Sequence, residues 1–170
     1  MNSLDEKYSK SVIFWLYENN PVLKTDLQRV VKNLYSLNSL LEKLEEDGLI
    51  QIEKKPFGKN ITEISLTLKG RDVAEHLMKL DAISKGKKLP STERYAVILY
   101  LYRNGSKNMK EINDDLPGST EILRELEKLN VVKQEIDKSK YPQETMLSLT
   151  EKGMEIGAQI EKLEKVMEKI

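Results

Sequence analysis

ISLTLKG (Ile64–Gly70) recurs as LSLTEKG (Leu147–Gly153), with five of the seven positions identical in a chain of 170 residues. Apolar and polar residues alternate up to Leu66 and Leu149, which is the period of a half-buried strand. A Thr-x-x-Gly step follows, and Thr67 and Thr150 stand where a helix N-cap belongs. Each stretch is therefore expected to be the joint at which a strand ends and a helix begins.

Upstream of each joint lies a second matching block, LLEKLEEDGLI (Leu40–Ile50) against ILRELEKLNVV (Ile122–Val132). Leu44 falls on Leu126 and Gly48 on Asn130. Glycine and asparagine both tolerate the left-handed conformation that ends a helix. Further upstream, SVIFWLYENN (Ser11–Asn20) matches AVILYLYRNG (Ala96–Gly105). The stretch SKGKKLPSTE (Ser84–Glu93) has the Gly, Pro and Lys content of a linker. The chain reads as two copies of one unit, residues 1–84 and 92–170, joined by a linker at 85–91.

Each copy runs in the same order. An apolar first helix comes first, with Ser3 and Glu6 as a capping box in copy one and Ser91 as a cap in copy two. A short helix follows, Leu23–Val31 or, after a cap at Ser106, Lys107–Asn113. A third helix is expected over about Ser36–Asp47 and Ser119–Leu129. Its apolar residues Leu37, Leu40, Leu41 and Leu44 keep helical spacing on one face. Beyond the Gly or Asn stop the period changes to two, which predicts a hairpin. The last helix runs from about Glu151 to Ile170. The fold class is α+β, with a three-helix core and a β-hairpin in each half and a long C-terminal helix.

Composition narrows the function. Basic and acidic residues balance at 28 each, so nucleic-acid binding has to rest on local charge. The absence of cysteine excludes disulfides, thiolate zinc sites and cysteine nucleophiles. His76 is the sole histidine, which leaves no metal set and no histidine-paired nucleophile. No Gly-rich phosphate loop is present. The longest apolar run, Tyr95–Tyr102, is far short of the roughly 20 residues of a membrane span. Asp5 and Glu6 at the start argue against a signal peptide. A non-enzymatic cytoplasmic protein without cofactor or metal is expected.

The order of elements, the "LxxLExxGLI" third helix running into a strand, the basic hairpin and the "LTxKG" closure resemble the winged helix-turn-helix domain. The likeness is to MarR-like and PadR-like transcriptional regulators of the archaeal type, once per half, as a tandem. It implies a DNA-binding transcriptional regulator, with the third helix in the major groove and the hairpin on the phosphate backbone. Carried onto this sequence, Ser36, Asn38, Ser39 and Lys43 would face base edges, and Asn38 can pair adenine through two hydrogen bonds. Lys54, Lys55 and Lys59 would hold phosphate. In copy two the third helix offers Arg124 beside Glu121 and Glu125. If only one copy binds duplex DNA, these residues favour the first.

Each site has a plainer reading. The polar positions of the third helix also suit an ordinary solvated face, and lysines on an edge strand also prevent sheet pairing. Winged helices serve as protein-assembly modules too, which net neutrality and acidic third helices favour. Ile156, Ile160, Leu163, Met167 and Ile170 follow the 4-3 spacing of a coiled-coil seam. They are expected to pair two chains into a homodimer, or else to pack on their own domain.

Overall fold

The computed structural model describes residues 2–55, 61–84, 92–139 and 141–168. The chain divides into two compact units, Met1–Lys79 with Leu163–Ile170, and Leu80–Lys162. The expected linker at 85–91 lies outside the described residues.

In the first unit a 3-10 turn (Asn2–Asp5) precedes α1 (Ser9–Asn19), β1 (Val22–Leu23), α2 (Lys24–Leu27) and α3 (Leu34–Glu46). The hairpin β2 (Ile50–Lys55) and β3 (Ile61–Leu66) follows, then α4 (Leu68–Ser84), whose residues from Leu80 belong to the second unit. The order recurs with α5 (Thr92–Asn104), β4 (Lys107–Asn108), α6 (Met109–Asp115), α7 (Ser119–Lys128), β5 (Val132–Asp137), β6 (Glu144–Leu149) and α8 (Glu151–Glu168), whose residues from Leu163 belong to the first unit. Each unit holds a three-stranded antiparallel sheet with the last strand central, β1-β3-β2 and β4-β6-β5. The period-two pattern fixes register: Ile50 stands opposite Leu66 and Val132 opposite Leu149, all four buried.

The apolar stripe of α3, Leu37, Leu40, Leu41 and Leu44, is buried as expected, as are Leu123 and Leu126 of α7. The helix stops match as well. Gly48 has φ 68 and Asn130 φ 56. The N–H groups of Leu49 and Val131 return to the carbonyls of Leu44 (2.9 Å) and Leu126 (2.8 Å), satisfying groups the helix ends leave open.

Several local expectations need correction. Ser3 and Glu6 form no capping box, because Ser3 lies in the 3-10 turn and its N–H donates to Asp47 Oδ2 at 3.4 Å. Helix α1 starts later, at Ser9, behind an N-cap Tyr8 that makes no side-chain bond. The second helix of unit 1 is only four residues long: at its start Leu23 pairs instead with Glu63, and at its end the chain leaves the helix as a turn, with Arg29 and Val30 N–H groups donating to the Asp26 and Leu27 carbonyls. A long-range ladder here overrides helix propensity. In unit 2 the cap is Asn108 rather than Ser106. Its Oδ1 accepts the Glu111 N–H at 2.8 Å, and Glu111 Oε2 accepts the Asn108 N–H at 2.9 Å. Ser91 lies outside the described residues.

The repeated joint has a single geometry in both units. Thr67 Oγ1 accepts the Gly70 N–H at 3.0 Å and donates to the Gly48 carbonyl at 2.7 Å. Thr150 Oγ1 accepts the Gly153 N–H at 3.1 Å and donates to the Asn130 carbonyl at 2.8 Å. The hydroxyl thus caps one helix and ties down the end of another. Glycine is needed because a Cβ on Gly70 would stand 2.0 Å from the Leu49 carbonyl oxygen, and one on Gly153 2.1 Å from that of Val131. Those carbonyls also accept the Thr67 and Thr150 N–H groups at 3.1 and 3.0 Å. Gly70→Ala and Gly153→Ala should each destabilise the protein by about 1–3 kcal/mol or more through overpacking. Urea unfolding of the two variants checks this, and unchanged midpoints would refute the joint as described.

Candidate nucleic-acid interface

The α2–turn–α3 and α6–turn–α7 segments bring two helices together across a short turn in each unit, and a hairpin follows each third helix. Helix α3 begins two residues before the expected Ser36. Asn33 is its N-cap and accepts the Ser36 N–H at 3.0 Å. Ser36 is exposed, while Asn38 and Ser39 are half-buried. The Oδ1 of Asn38 is buried without a hydrogen-bond partner. A two-bond contact to adenine needs both ends of the amide, so Asn38 would have to turn its side chain to make one. Tyr35, missed in the sequence reading, stands 84% exposed in the first turn of α3.

The lysines differ among themselves. Lys43 is exposed and bonded to Glu6. Lys55 Nζ lies 2.5 Å from Glu63 Oε2, a diagonal cross-strand pair. That pair offsets the like charges of Glu53 and Glu63, which face each other across the ladder. The hydrogen bond that Lys55 donates to Glu63, reinforced by the carboxylate charge, raises the Lys55 pKa above the ordinary lysine value. Lys54 is exposed and makes no ion pair among the described residues. Lys59 lies outside the described residues. Exposed ion pairs are worth about 0–1 kcal/mol, so phosphate can compete with Glu63 for Lys55.

The acids of α3 also have structural duties. Glu45 Oε1 accepts the Ile52 N–H at 3.3 Å, and Asp47 accepts that of Ser3. Glu42 and Glu46 are exposed. In unit 2, Ser119 and Thr120 at the head of α7 both donate to Asn113 Oδ1, at 3.0 and 3.2 Å, which fixes α6 against α7. Arg124 is 67% exposed, and its Nη1 lies 3.9 Å from Glu121 Oε1. The second hairpin exposes Ile136 and Tyr141, and its Lys133 pairs with Glu135 at 2.6 Å.

A paired clasp emerges when the units are superposed on their helix stops. Position 43 of α3 corresponds to 125 of α7. Lys43 bonds to Glu6 ahead of α1, and Glu125 bonds to Arg94 of α5. The first helical segment is tied to the third in both units, with the sign of each partner reversed. Lys43, expected to face bases, is therefore occupied on the flank of α3.

Of the seam on α8, Ile156, Ile160 and Leu163 are fully buried, Met167 is half-buried, and Ile170 lies outside the described residues. Gly157 sits against Tyr102, whose ring would lie 2.7 Å from an added Cβ. Among the described residues no group of His, Cys, Asp and Glu is placed to hold a metal ion, and no helix is long and apolar enough to cross a membrane.

Residues 92–170 thus carry a helix-turn-helix domain. They match the HxlR-like helix-turn-helix family, a family of DNA-binding transcription regulators. No curated protein matches the chain. The match falls on the copy that the sequence reading ranked second as a DNA reader.

The Lys43–Glu6 and Arg94–Glu125 clasps are both solvent-accessible. Double-mutant cycles in chemical denaturation should give coupling of about 1 kcal/mol or less for each, shrinking as salt is raised. A coupling that persists undiminished in high salt would contradict the exposed geometry.

Proposed function

We propose that the protein is a DNA-binding transcriptional regulator, with a third helix entering the major groove and the following hairpin lying along the phosphate backbone. The observation that carries this reading is the HxlR-like match over residues 92–170, on a unit built of two helices about a turn and a hairpin. The recurrence of the same element order in residues 1–84 supports a tandem of winged helices, in keeping with the MarR-like and PadR-like resemblance. A cytoplasmic location follows from that role.

Two residue sets are the alternatives for the contact, one in each unit. In the first unit these are Ser36, Asn38 and Ser39 with Lys54, Lys55 and Lys59. In the second unit it is Arg124. A homodimer along α8 belongs to the same proposal. With Ile156, Ile160 and Leu163 already buried, such a dimer rests on Met167 and Ile170. A second reading, protein assembly through the first unit, is favoured by the exposed Glu42 and Glu46 on α3.

The test is fluorescence anisotropy of the full chain on a labelled mixed-sequence duplex across a salt series. Binding should weaken steeply with salt, with a slope of about 0.9 per phosphate neutralised. An absence of duplex binding even at low salt would remove this function.

A further inference from the structure

The exposed stripe of each third helix lies opposite its buried row. At 3.6 residues per turn, the positions opposite Leu37, Leu40, Leu41 and Leu44 are 35, 39, 42 and 46. Aligned by the positive-φ stops at Gly48 and Asn130, their counterparts on α7 are 121, 124 and 128, while 117 falls before the N-cap Gly118. The first stripe reads Tyr35, Ser39, Glu42, Glu46, and the second reads Glu121, Arg124, Lys128. The first thus carries two acids and no base, and the second two bases and one acid. The flanks do not alter this contrast. Lys43 is tied to Glu6, and Glu125 is tied to Arg94.

We infer that the two units have divided the work: α7 is the duplex-docking helix, through Arg124 and Lys128, and the outward face of α3 is electrostatically barred from DNA. This rests on the proposed function and names which copy performs it. Phosphate contact dominates duplex affinity, and a helix that presents two carboxylates along its outer line meets that polyanion with repulsion. Among the described residues the Arg124 guanidinium is held by Glu121 at 3.9 Å, an exposed pair that phosphate readily displaces. Lys128 also sits in the last turn of α7, where a cation complements the helix dipole. Glu46 holds the corresponding place in α3 and opposes it.

The test compares three variants of the full chain on the same labelled duplex, with circular dichroism and thermal melting confirming that each is folded. Arg124→Glu with Lys128→Glu should weaken binding about tenfold or more and flatten the salt slope by about two phosphate contacts. Lys54→Glu with Lys55→Glu should weaken binding clearly less than the α7 pair does. Glu42→Arg with Glu46→Lys should tighten binding or raise the number of chains bound per duplex, a gain that misfolding cannot mimic. Loss of binding on reversing the first-unit lysines, with the α7 variant unaffected, would overturn the division of work while leaving DNA binding intact. Equal losses from both sets would overturn it too. Failure of the unmodified chain to bind duplex would overturn both the division and the function beneath it.

Discussion

A backbone carbonyl pressed against a glycine holds each unit together. The Leu49 and Val131 oxygens come so close to Gly70 and Gly153 that no side chain fits, and the same carbonyls accept the Thr67 and Thr150 N–H groups. Three elements meet there: the end of the third helix, the last strand and the first turn of the closing helix. The threonine hydroxyl completes the junction by capping one helix while bonding the chain that leaves another.

The two units differ in charge where their shared order of elements leaves residues free to vary. Positions that build the joint, the helix stop and the buried row keep their chemistry between units. Positions 42 and 46 against 124 and 128 reverse their sign, and so does the clasp at 43 and 125. A change of sign on the outward line costs the fold little, because solvent screens it. Against a polyanion the same change counts heavily.

Much of this was legible from residues alone. The Gly48 and Asn130 stops, the Thr caps, the alternating strands and the buried row of α3 obey local rules that need only a few neighbouring residues. Where expectation slipped, distance along the chain was the cause. Val22 and Leu23 belong to a ladder with Ile64 and Glu63, which no local window contains. Ser3 fails as a cap because its N–H bonds to Asp47, across the unit.

The candidate site was legible only in part. Sequence alone determined the recurring order of elements, where the third helices stop, and that Lys54, Lys55 and Arg124 are charged groups on a hairpin and a third helix. These follow from periodicity and from the φ tolerance of single residues. Tertiary structure decided which groups meet a partner: Lys43 pairs with Glu6, Glu125 with Arg94 and Lys55 with Glu63, while the side-chain oxygen of Asn38 is buried. It decided as well that Ile156, Ile160 and Leu163 are buried within the chain. The physical reason is common to all of them: a side chain's availability depends on groups brought near by folding, and no spacing in the sequence records who those neighbours are.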